Sequence, residues 1–141
     1  MQKSLIFIAI AGLAVIVYAQ QPPPTIQRVT PSRTSPASGE EMFRAYCAVC
    51  HGVDAKGNGP AAPALKMMPA DLTALAKENK GKYPELRVYS AITGEVGMPA
   101  HGSQEMPIWG EVFRSMSGGS DAQIKMRVRN LTKYVGTLQV K

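Results

Sequence analysis

Cysteine and histidine are almost absent from this chain. Its 141 residues include two cysteines, Cys47 and Cys50, and two histidines, His51 and His101. A structural zinc site takes four such ligands, so it would need all of them, including the neighbours Cys50 and His51, which point apart on a helix. Alternating apolar and polar residues are missing, which argues against strands, and so is any internal repeat. There is no arginine-rich block and no basic run with interleaved aromatics, which excludes a nucleic-acid site. No Ser/His/Asp set, phosphate-binding glycine loop or paired catalytic carboxylates support a hydrolase or a phosphoryl-transfer enzyme. The apolar run at the start, Leu5 to Val17, has 13 residues, against about 20 for a membrane-spanning helix.

That run follows Lys3 and ends at Val17-Tyr18-Ala19, the layout of a secretory signal peptide over residues 1–19. The alternative is an uncleaved anchor, the only route by which membrane attachment is expected. Cleavage removes Lys3 and no acid, so the formal charge of +6 becomes +5, a mildly basic balance suited to solubility or partner steering. Residues 20–37 hold five prolines and few apolar side chains, and read as an extended linker. The globular domain is then expected over 38–141, small enough to benefit from a metal or cofactor as a staple.

Within that domain the pattern is all-α. Ser38-Gly-Glu-Glu41 is a capping box. Met42, Phe43, Tyr46 and Val49 recur at helical spacing, which predicts a helix over 39–49. A loop rich in Gly and Pro follows from His51 to Ala64, then a short helix opening at Pro69 and a turn at KENKGKYP. Pro84 suits the first position of a helix ending at Gly94. Residues 94–118 carry five glycines and two prolines, with one helical turn expected near Trp109–Phe113; connections this long are usually functional. Ser120-Asp-Ala-Gln123 is a second capping box. The stripe Ile124, Val128, Leu131, Tyr134, Val135 and Leu138 predicts a terminal helix over 121–138.

Both cysteines fall in CAVCH, residues 47–51. In an oxidising compartment a lone pair normally becomes a disulfide. A dithiol redox site is the next alternative, but that motif usually accompanies a βαβ pattern. Chance spacing is the third. Covalent haem attachment is the fourth, with Cys-x-x-Cys-His as its signature. Two intervening residues make a helical turn whose sulfurs span one porphyrin edge, bonding its two vinyl groups as thioethers. His51 then projects toward the ring centre. A thioether cannot form a disulfide, so export and a lone cysteine pair no longer conflict.

At these residues the sequence resembles the class I c-type cytochromes, over about residues 38–138. The resemblance is carried by FRAYCAVCHG (43–52), KGNGPAAPAL (56–65), PADLTAL (69–75) and AHGSQEMPIWG (100–110). It implies a small helical fold around one haem c, with crossed first and last helices; Gly39, Phe43, Leu131 and Tyr134 fit that contact, as they would fit plain core packing. It also implies His and Met on the two faces of the iron. Met98 and Met106 both precede proline in the long loop, 47 and 55 residues after His51. The resemblance favours Met106, with Met98 as pocket wall or runner-up. His101 is a minor ligand candidate and otherwise a loop residue. Pro60, or else Pro63, is expected to offer its carbonyl to the Nδ1–H of His51. Leu65, Leu72, Leu75, Tyr89, Ile92, Trp109 and Phe113 are expected pocket walls, though a small core would bury them anyway. Trp109 is also a candidate N–H donor to a propionate.

With both axial positions filled no substrate reaches iron, and the expected function is one-electron transfer between a reductase and an oxidase or dehydrogenase, not catalysis. The alternatives are a haem subunit of a larger respiratory or dehydrogenase complex, and a haem enzyme with an open sixth position. Lys125, Arg129 and Lys133 on the last helix, or Lys77, Lys80 and Lys82, are candidates for steering an acidic partner, although a solvated face is the commoner explanation.

Overall fold

Ser38 starts the first helix as its sequence dictates: its Oγ accepts the backbone N–H of Glu41 at 3.1 Å. The computed structural model describes residues 33–94 and 106–140, all within the unit Pro31–Lys141. The expected signal segment 1–19, the linker as far as residue 32, Met98 and His101 lie outside the described residues. Among the described residues all regular structure is helical, in the order α1 (Gly39–Met42), a π-helical turn (Phe43–Cys47), α2 (Ala48–His51), a 3₁₀ turn (Ala62–Ala64), α3 (Leu75–Glu78), α4 (Glu85–Thr93), α5 (Trp109–Met116) and α6 (Asp121–Thr137). None of these helices is long and apolar enough to cross a membrane.

The first three elements form one continuous helical run, two residues longer than expected. Its middle is wound differently: the N–H of Ala48 bonds back to the carbonyl of Phe43, five residues earlier. Such π-turns are rare and concentrate at functional sites. Here the turn ends on Cys47 and keeps Phe43 and Tyr46 buried. The apolar stripe of α6 buries Ile124, Val128, Leu131 and Val135, and α6 packs on α1 as expected. Gly39 lies against Asn130 and Tyr134, and the rings of Phe43 and Tyr134 are 5.5 Å apart.

Five local expectations need correction. Ser120 occupies the N-cap of α6, but its side chain makes no capping hydrogen bond. Pro84 is the N-cap of α4, not its first residue, with ψ at 66°. The single turn near Trp109 is an eight-residue helix, α5, because Trp109 and Phe113 fall on one face and are both buried. The linker also ends earlier than Ser38. Thr34 is buried, and the Asn130 side chain donates to the carbonyl of Pro36 at 2.9 Å. Few apolar side chains are needed for that order, because hydrogen bonds from α6 hold the segment.

The helix expected at Pro69 begins instead at Leu75, because Asp71 diverts the chain into a turn. Its Oδ1 accepts from the N–H of Thr73 at 2.8 Å and from the hydroxyl of Thr73 at 2.6 Å, an Asx-type alternative to helical hydrogen bonding. The Thr73 hydroxyl, against some desolvation and with help from Thr73 N–H, Lys56 and Ala74 N–H, holds the Asp71 carboxyl below its usual pKa. A carboxylate with a depressed native pKa adds stability above its unfolded pKa, and that stability is lost as pH falls through the native value. Asp71→Ala is therefore expected to cost about 1 kcal/mol at neutral pH. The difference from the parent should vanish below the carboxylate range, as read by urea unfolding at several pH values. A pH-independent difference would refute this account.

Candidate haem attachment site

The end of the first helical run would ordinarily leave its last carbonyls without partners. Here the following loop returns to satisfy them. The N–H of Gly57 donates to His51 at 2.8 Å, that of Gly59 to Cys50 at 3.0 Å, and that of Ala61 to Val49 at 2.9 Å. A Cβ on Gly59 would meet the carbonyl oxygens of Val49 and Ala48 at 2.5 and 2.6 Å, so glycine is what permits this approach. Gly52, at φ +79°, turns the chain out of the helix directly after His51.

CAVCH is thereby held from both sides. Cys47 and Cys50 are partly buried and not joined to each other. Burial, and secondarily the charge of Cys50, pushes the Cys47 thiol up to about 12. A dithiol redox site needs the opposite, an acidified thiolate, so the chemistry of Cys47 does not favour that alternative.

The His51 ring has its Nδ1 3.1 Å from the carbonyl oxygen of Ala70. A carbonyl only accepts, so Nδ1 carries the proton in this bond, and in the neutral ring that puts the lone pair on Nε2, the tautomer a metal ligand needs. Sequence reasoning placed Pro60 or Pro63 in this role. Both prolines are exposed, because the flanking residues Gly59 and Ala61 turn their N–H groups to the helix end. The chain must travel further before a carbonyl reaches the ring. Leu72 N–H on Ala55 at 2.8 Å and the Asp71–Thr73 turn then hold Ala70 there.

Met106 is partly buried and packs against the buried core. Three residues on, Trp109 is buried and stacks on Tyr46, with ring centroids 5.1 Å apart and an angle of 28°. Tyr46 precedes Cys47, so this stack ties the Met106 segment to the attachment segment. Trp109 thus acts in the core first, and its proposed propionate contact is not what places it. Phe113 and Ile92 are buried, while Leu72, Leu75 and Tyr89 lie half-buried against the same core. Leu65 is partly buried just after the 3₁₀ turn. No group of three or more His, Cys, Asp or Glu side chains forms a metal site among the described residues.

The residues present fit a covalently attached haem: two sulfurs not joined to each other and one helical turn apart, an imidazole with its Nδ1 proton already committed, and half-buried apolar side chains packed, like Cys47, against the buried core. Ala70 was not foreseen, since a backbone carbonyl leaves no residue-type signal; the Asp-Leu-Thr turn beside it did.

No curated protein and no solved structure matches this chain. Residues 34–113, more than half of it, match a family model described as cytochrome c oxidase, cbb3-type, subunit III. The match spans CAVCH, the Ala70 turn, Met106 and α5 through Phe113, the same segments that build the site. This chain belongs to the family of cytochrome c oxidase, cbb3-type, subunit III.

Proposed function

We propose that this chain is an exported mono-haem c-type cytochrome that passes single electrons between redox partner proteins. Cys47 and Cys50 would hold the porphyrin through thioethers, and His51 and Met106 would ligate its iron. The observation that carries this is the His51 Nδ1–H on the Ala70 carbonyl, next to two sulfurs that are free to bond.

A bound haem c supplies a one-electron Fe(III)/Fe(II) couple. The chain's residues set how that couple behaves. Ala70 fixes the imidazole plane and raises the basicity of Nε2. A thioether from Met106 raises the potential relative to a second imidazole. Leu72, Leu75 and Tyr89 exclude water from the apolar side. With both ligands in place the protein transfers electrons and binds no substrate at iron. The domain plan that goes with this is a signal peptide over 1–19, a linker, and a cytochrome domain that begins near Thr34; the exported protein works in the periplasm or its equivalent.

Mass spectrometry and visible spectra of the exported protein test it. The expected mass is the polypeptide from residue 20 plus one haem. The ferric spectrum should show a weak band at its red end, lost in Met106→Ala and retained in Met98→Ala. A colourless protein with the polypeptide mass alone sinks the proposal. Loss of the band in Met98→Ala but not Met106→Ala reassigns the ligand.

The family match favours a second reading of the same chemistry, in which the domain works while docked in an oxidase. Copurification settles between them: a carrier isolates alone, whereas a subunit stays with its complex through mild-detergent chromatography.

A further inference from the structure

Arg127 is a charged residue in the middle of the hydrophobic core. It lies on α6 at 5% exposure. Its Nη1 donates to Thr34 Oγ1 at 3.0 Å and its Nη2 to the Thr34 carbonyl at 2.9 Å. Nη1 also approaches Met42 Sδ at 3.7 Å, and the guanidinium lies 5.8 Å from the Phe113 ring centroid. Nε has no partner among the described residues. The ion pairs described there are Glu40–Arg44 and Arg114–Asp121, so no carboxylate among the described residues neutralises Arg127.

Burying an ion costs several kcal/mol unless an opposite charge compensates. The neutral oxygens of Thr34 and the ring face of Phe113 solvate this cation without cancelling it. An uncancelled charge in a low-dielectric core acts over a longer range than one at the surface. Thr34 Oγ1 shares a hydrogen bond of 2.8 Å with Tyr46. Tyr46 adjoins Cys47 and stacks on Trp109, so the charge sits in the layer that backs both the attachment helix and the Met106 segment.

We propose that Arg127 is a positioning residue for the redox reaction: its unpaired buried charge raises the reduction potential of the haem. This rests on the proposed function. Ferric haem bears one more positive charge than ferrous haem, so a fixed cation nearby disfavours the ferric state. Hydrogen bonding to Thr34 is the separate, structural part of the same side chain's work, and it docks the segment 34–36 onto α6.

Spectroelectrochemical titration of the holoprotein separates the two. Arg127→Met removes the charge at similar volume, and Arg127→Gln removes it while keeping donors for Thr34, which guards against a variant that does not fold. Both are expected to shift the ferrous/ferric equilibrium about three- to tenfold toward ferric, where tenfold is about 59 mV for a one-electron couple. Arg127→Lys keeps the charge and should keep the potential. Thr34→Val removes the Oγ1 hydrogen bonds to Arg127 and Tyr46 while the carbonyl still accepts from Nη2, and should lower the thermal midpoint without lowering the potential. Unchanged potentials in Arg127→Gln and Arg127→Met overturn the inference, as does an equal fall in Thr34→Val. A wild-type protein that carries no haem sinks the proposed function and this inference together, whereas a haem protein with unmoved potentials sinks this inference alone.

Discussion

Alanine at Gly39 is expected to destabilise the domain by about 3 kcal/mol, at the upper end of overpacking costs. The added Cβ would overlap the carbonyl oxygen of Asn130 and approach Tyr134 Cβ at 2.7 Å. Helix propensity alone points the other way, since alanine is better than glycine inside a helix by up to about 1 kcal/mol. The clash wins because its main partner is backbone of α6, which cannot rotate away as a side chain can. Relief requires α1 and α6 to separate. That would loosen the Phe43–Tyr134 contact and the core beneath it, where Met42, Phe43, Val128 and Leu131 are all at most 1% exposed. At about 4–8 °C per kcal/mol for a domain of this size, the thermal midpoint should fall by more than 10 °C. Gly81→Ala is the control. Space at Gly81 is open and only its φ of +83° opposes a side chain, so the loss there should be about 1 kcal/mol. If Gly39→Ala proved no worse than Gly81→Ala, the close contact between the first and last helices would be wrong.

That contact is what the family resemblance implied, and two sequence patterns placed the helices that make it. The capping box at Ser38 fixed where the first helix begins, and the stripe from Ile124 to Val135 fixed the buried face of the last. The helix 85–93 was legible for the same reason, being bounded by Pro84 and Gly94. What escaped was set by hydrogen bonds between residues far apart in the chain. Thr34 is ordered by Arg127, 93 positions later, and no composition rule distinguishes that threonine from the others in a proline-rich segment. The proton on His51 goes to the carbonyl of Ala70, 19 positions away, and any residue would serve there. The π-turn at 43–47 keeps the period of its apolar residues close enough to an α-helix that spacing does not reveal it. Side-chain identity reports burial and chemistry well; it reports backbone acceptors poorly, and the site needs both.

The double variant Cys47→Ala/Cys50→Ala should have the largest effect of all. Alanine removes both sulfurs without leaving a polar group in a partly buried position, so the change reads covalent attachment and little else. Porphyrin should be lost on denaturation, whereas the parent protein stays coloured. Each single variant should retain one thioether and the haem mass. Stability should fall with the colour. A domain of this size is stable by only about 5–15 kcal/mol, and a group bound by the folded state adds to that with the logarithm of its affinity. Without it, Leu72, Leu75, Tyr89 and Met106, which pack half-buried on the core, face water on their open sides, and the imidazole of His51 keeps its hydrogen bond to Ala70 with nothing to coordinate. The double variant should therefore unfold at lower denaturant and with a smaller dependence on denaturant concentration, because less surface is exposed on unfolding from a looser native state. A double variant that kept its porphyrin through denaturation, or that matched the parent's unfolding midpoint, would show that the sulfurs of CAVCH are not where this domain gains its cofactor.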